Sequence, residues 1–264
     1  MLVTVKAYPA ISNKYGESVC VAGVRTDVES PEFVRLFPVG FRDLPAESQF
    51  KKYQLIKLRV RRGTTDRRPE SWQPDLGSIR LGRTVDTARG WKERWEILGP
   101  LVGEGTTCEL HREAARVGQA ARSLALVKPS DVTGVTVTQN PDFDPALAAA
   151  AQAAAAPDLF RTEKEVLRAA PYRVQYNYRC EARGCSGHKQ GLIDWEVGAA
   201  GLRWRDTPVA TVDKQLSQKF FDELCGPAKA THFYIGNQHA NPGSFMVLGV
   251  FYPPKNSRPQ PSLF

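Results

Sequence analysis

The sequence predicts an α+β protein in two parts: a β-rich N-terminal domain with covering helices, joined by an Ala-rich linker to a smaller zinc-stabilised α+β domain. Three observations carry this. Short alternating apolar segments crowd the first 81 residues, an alanine-rich segment interrupts the chain near residue 150, and a Cys/Cys/His turn follows at 180–188. At 264 residues the chain is long enough for one large or two ordinary domains. Its 42% apolar and 24% charged residues suit a folded soluble protein and exclude a disordered chain.

Residues 3–7, 19–24, 33–37, 53–62 and 79–81 read as strands bounded by Pro, Gly, Asn and Asp. Residues 87–98 read as a helix, with Trp91, Trp95 and Leu98 at i, i+4, i+7, and residues 109–124 as a second. Strands follow at 124–127 and 132–138. This first domain spans residues 1–140. Residues 141–157 are low-complexity alanine with prolines at both ends, giving a linker with helical propensity and little to anchor a core. The second domain, residues 158–264, opens with a helix at 158–169 and strands at 172–179 and 191–197. A helix at 213–224 ends at Gly226-Pro227, strands at 232–235 and 245–252 flank a loop, and the tail is proline-rich.

Five cysteines, an odd number, do not make a secreted disulfide framework. The N-terminus shows no export signal and no segment is apolar enough for a membrane span, so a cytoplasmic protein without a membrane partner is expected. Cys180 and Cys185 lie four residues apart and His188 follows after two more, with Gly184 and Gly187 giving the turn its freedom. Soft sulfur and imidazole donors favour zinc, and a full shell of four makes it structural. The fourth ligand must come from elsewhere. His239, in the loop between two strands, is the first choice, and Cys225, at a helix end, the second.

The chain carries a formal charge of +8, and residues 1–140 hold 22 basic against 16 acidic groups, so the excess is concentrated there. Between residues 51 and 68, Lys51, Lys52, Lys57, Arg59, Arg61, Arg62, Arg67 and Arg68 face a single anion, Asp66. On a strand, Ile56, Leu58 and Val60 would face a core and Lys57, Arg59 and Arg61 the opposite side. Their spacing of about 6.7 Å is close to a phosphate repeat. Such a row suits backbone contacts to DNA or RNA without sequence choice. Trp72, Tyr53 and Tyr8, and the strand face of Tyr172, Tyr176 and Tyr178, are the candidates for stacking on bases.

Asp194 and Glu196 alternate with Ile193, Trp195 and Val197, which on a strand sets both carboxylates on one face about 6.5 to 7 Å apart. Such a pair grips Mg²⁺ in metal-dependent nucleases and phosphodiesterases, although Gly198 stands where their lysine often does. Phosphate-loop, dinucleotide and serine-hydrolase motifs are absent. The favoured expectation is therefore a zinc-containing nucleic-acid-binding protein. The alternatives are a magnesium-dependent enzyme using Asp194 and Glu196, and an adaptor for a protein partner in which zinc only shapes an interface.

Overall fold

The computed structural model describes residues 1–12, 14–157 and 163–257. The regular structure of the first part is mainly strand: β1 (Leu2–Lys6), β2 (Ala10–Ser12), β3 (Gly16–Arg25), β4 (Glu32–Val39), β5 (Gln54–Lys57), β6 (Val60–Arg61), β7 (Ser71–Pro74) and β8 (Arg80–Thr84). They form one sheet in the order β6-β7-β4-β3-β1-β5-β8, with β2 added onto β3. Alternating Val and Leu residues give it a face, and Val3, Val19, Val21, Val34, Leu36 and Ile56 pack on it as one core.

Helices α1 (Ala88–Leu98) and α2 (Thr107–Val117) precede β9 (Leu124–Val127) and β10 (Pro129–Gln139). Then come α3 (Pro145–Ala155), β11 (Tyr172–Cys180), β12 (His188–Leu192), α4 (Trp195–Arg203), α5 (Val209–Ser217), β13 (His232–Asn237) and β14 (Phe245–Phe251). The second sheet runs β10-β11-β12-β14-β13-β9. Tyr176, Phe233 and Val247 form its core with Leu110 of α2 and Val212 and Leu216 of α5. Among the described residues no helix is long and apolar enough to cross a membrane.

The division into a β-rich first part and an α+β second part holds, but its boundary lies elsewhere. Strands β9 and β10, expected in the first domain, pair with β13 and β11 of the second sheet. The second part is therefore the larger one. The alanine-rich segment is not a linker: α3 packs on β2 and β3, and Ala151 and Ala155 are buried there. The helix expected at 158–169 lies partly outside the described residues, and residues 163–170 have no regular structure. The strand expected at 53–62 is broken at residues 58–59, where the chain turns from β5 to β6. The strand expected at 191–197 stops at Leu192. Asp194 instead caps α4, its carboxylate accepting from the Glu196 amide at 3.0 Å.

Candidate metal centre

Strand β11 ends at Cys180 and β12 begins at His188, so antiparallel pairing of the two strands brings the ends of the turn together. The turn is closed by the Cys185 amide donating to the Ala182 carbonyl at 3.1 Å. Gly184 (φ 75°) and Gly187 (φ 108°) adopt the left-handed backbone it requires. The fourth donor is Cys108, in the first turn of α2. A capping box fixes that turn: Thr106 Oγ1 accepts from the Glu109 amide, while Glu109 Oε2 accepts from the Thr106 amide. Tyr178 shares a hydrogen bond with Thr107 Oγ1 at 2.8 Å and donates to Gln190 Oε1 at 2.6 Å. The residue beside Cys108 is thus tied to the hairpin that carries the other three donors.

The three sulfurs and one imidazole nitrogen all lie within 4.8 Å of one another. From His188 Nε2 the sulfurs of Cys185, Cys180 and Cys108 stand at 3.3, 3.4 and 3.5 Å. Bonds of about 2.3 Å to sulfur and about 2.0 Å to nitrogen give a tetrahedron with nitrogen–sulfur edges of about 3.5 Å. The donor set and its spacing therefore fit a tetrahedral ion such as zinc. Burial, with nearby His111 adding to it, holds His188 below its ordinary pKa, which leaves the Nε2 lone pair free to bind a metal. Burial also pushes the Cys108 thiol up to about 12, so without a metal it stays protonated. Cys185 goes the other way: burial opposes ionisation, but the Cys180 and Gly187 amides outweigh it.

Neither expected fourth ligand takes part. His239 lies on the exposed loop, where its Nε2 stands 3.2 Å from the Thr65 carbonyl and its backbone carbonyl accepts from Gln119. Cys225 donates to the Phe220 carbonyl beside Tyr176, and burial pushes its thiol up to about 12. Cys108 was illegible as a ligand because 71 residues separate it from Cys180 and no spacing rule spans that gap. The usable signal was its position inside the Thr106-x-x-Glu109 helix start, which sets its thiol in the first helical turn.

The carboxylate pair does not form the expected magnesium grip. Asp194 is buried at the N-cap of α4, and Lys52 Nζ stands 2.7 Å from its Oδ2 and 3.7 Å from Glu196 Oε1. An ammonium group occupies the place between the two carboxylates. Burial raises the Asp194 pKa and Lys52 opposes it.

The basic segment also divides. Lys52 is spent on Asp194. Arg68 is buried, bound to Asp66 at 2.7 Å and donating to the Asn237 carbonyl at 2.8 Å. Arg59 pairs with Asp75, and Arg62 lies over the Trp72 ring at 3.8 Å. Lys51, Lys57, Arg61 and Arg67 are exposed and make no ion pair among the described residues. Of the residues expected to stack on bases, Tyr53, Tyr172, Tyr176 and Tyr178 are buried and Tyr8 donates to the Arg168 carbonyl. Trp72 borders the groove that the exposed Lys57 also lines.

Fold and site together define a two-sheet α+β protein with a three-cysteine, one-histidine group fit for a metal ion. The chain belongs to the family described as Domain of unknown function (DUF8757), whose model matches residues 103–264. Residues 1–100 match a second model, Domain of unknown function (DUF8758). The two matches agree with the division between the sheets. No curated protein and no solved structure matches the chain.

Proposed function

We propose that this is a nucleic-acid-binding protein in which Cys108, Cys180, Cys185 and His188 hold a structural zinc ion and the exposed cations near β5 and β6 meet backbone phosphates. The observation that carries the binding role is a pair of like charges. Lys57 and Arg80 are direct partners across β5 and β8, and both are exposed. Like charges opposite each other on one sheet face repel, and an anion between them removes the penalty. Arg61 lies four residues beyond Lys57. The neighbouring groove of about 590 Å³ is lined by Leu55, Leu58, Leu81 and Trp72, giving an apolar surface next to the cations.

Two measurements test this. Elemental analysis of the purified chain is expected to give one zinc per molecule, falling in Cys108→Ser. A ratio near zero removes the metal half. Fluorescence anisotropy with mixed-sequence single-stranded DNA and RNA over a salt series is expected to show a negative log–log slope. Each of Lys57→Glu, Arg61→Glu and Arg80→Glu should flatten it by about 0.7. A slope that none of them changes removes the nucleic-acid half. The magnesium-enzyme reading gains no comparable support, because Lys52 already pairs with both carboxylates.

A further inference from the structure

Between the two sheets lies a cleft of about 800 Å³, whose wall includes Lys52 at the start of the basic segment. Its volume falls in the range of sites that enclose small molecules, roughly 300–1,000 Å³. One side chain in its wall carries a charge that no carboxylate among the described residues neutralises. Arg94, on α1, is only 9% exposed. Its Nε donates to the Val85 carbonyl at 3.0 Å, and its guanidinium lies 3.6 Å from the centre of the Tyr53 ring and 4.8 Å from that of Trp91. Among the described residues no carboxylate pairs with it and neither terminal nitrogen has a hydrogen-bond partner. Buried arginines are ordinarily paired, because desolvating an unpaired guanidinium is costly. The terminal nitrogens of Arg35 and Arg68 follow that rule with carbonyls and a carboxylate; those of Arg94 have no such partner and are not sealed from the cleft.

The rings that sandwich it are themselves held in unusual backbone. Tyr53 (φ 60°) and Trp91 (φ 67°) are non-glycine residues in the left-handed region, as is Arg89 (φ 51°). Strain of this kind collects where a fold must present a group in a fixed pose, and here it frames a single cation. The other cation on the near wall, Lys52, is already committed to Asp194 and Glu196.

We propose that Arg94 is the anchor of a binding site for a small anionic molecule, which sets one carboxylate or phosphate group against the guanidinium fork and its body against Tyr53 and Tyr252. The fork matches either group through two parallel hydrogen bonds. A polyanion is disfavoured, because Glu196, Asp222 and Glu223 alternate there with Lys219 and Lys229 and leave no continuous basic track for a row of phosphates. The site is therefore separate from the nucleic-acid surface and does not depend on it.

The test uses the full chain and four probes: inorganic phosphate, AMP, acetate and benzoate. Calorimetric titration is expected to show saturable one-to-one binding of at least one probe at millimolar concentration or below, and the phosphate and carboxylate arms identify which group the site takes. Phenylglyoxal labelling of the wild-type protein, read by peptide mass mapping, should show Arg94 protected by the same probe. Arg94→Lys keeps the charge but loses the fork, and is expected to weaken binding about tenfold. Should that variant fail to fold, wild-type protection decides alone. Binding of no probe, protection of other arginines but not Arg94, or unchanged affinity in folded Arg94→Lys would each overturn the assignment. The Lys57→Glu variant should bind the probe as wild type does.

Discussion

At the scale of single residues, the molecule separates cations that hold the fold from cations left for solvent, and the sequence does not mark which is which. Arg68 and Arg67 are neighbours, yet one is buried on Asp66 and the other exposed. A local turn decides it: Asp66 Oδ1 accepts from both the amide and the guanidinium of Arg68, and Arg67 between them is left exposed. The buried pair has a consequence for acid stability. Burial raises the pKa of Asp66, but its bonds to Arg68 win and hold it at about 2, against an ordinary 3.8. A carboxyl whose folded pKa is depressed stabilises the fold above the unfolded value and loses that contribution as pH falls through the folded one. Asp66 is then worth about 2 kcal/mol at neutral pH, lost between about pH 4 and pH 2. Urea unfolding of Asp66→Asn should show that loss at pH 7 and a shallower decline below pH 4. Parallel acid profiles for the two proteins would contradict it.

At the scale of elements, strands with strict alternation and buried β-branched residues were legible: β1, β3, β4, β11, β13 and β14 all fall where the pattern predicts. Errors came where two codes overlap. The run Ile193-Asp-Trp-Glu-Val197 alternates like a strand, but Asp194 is a helix cap and Gly198-Ala-Ala-Gly continues the helix, so capping chemistry outranked periodicity. In α3 the helical propensity of alanine was readable, but its packing was not, because small side chains carry no stripe. They dock beside Gly16, where even a methyl would lie in ordinary contact, 3.8 Å from Ala154 Cβ. The metal turn was legible as three donors within nine residues; its fourth, on α2, was fixed by tertiary packing alone. The packing of α4 can be tested with two glycines. A methyl at Gly198 would overlap the Tyr8 ring, which is pinned by its bond to the Arg168 carbonyl and by contact with Trp195. Overpacking costs about 1–3 kcal/mol, more than the roughly 0.8–1 kcal/mol that alanine adds to a helix. Gly198→Ala should therefore lower the urea midpoint, whereas Gly191→Ala, with open space around it, should barely move it. Equal effects at both positions would remove the packing explanation.

At the scale of the whole molecule, the two family segments meet inside a shared core. Leu2, Val5 and Val24 of the first sheet pack with Trp91, Trp95 and Leu98 of α1, and with Leu126, Tyr234, Leu248 and Phe251 of the second sheet. Two buried arginines cross the same boundary: Arg35 donates to the carbonyls of Asn237 and Ser123 at 2.9 and 2.8 Å, and Arg68 to Asn237. Glu70 returns the contact by accepting from Ser123. An interface made of core side chains and buried charges cannot open cheaply, since separation leaves Arg35 without partners and the apolar faces in water. The two segments should accordingly unfold as one unit. In urea, tryptophan fluorescence and far-ultraviolet circular dichroism are expected to report a single coincident transition for the full chain. The excised segment 1–100 should bind a hydrophobic dye and show no cooperative transition, because Leu2, Val5 and Trp95 lose their cover. Two resolved transitions in the full chain, or sharp unfolding of the excised segment, would mean that each sheet carries a sufficient core of its own. The contacts across the boundary would then serve to orient the cleft beside Arg94 rather than to stabilise its walls.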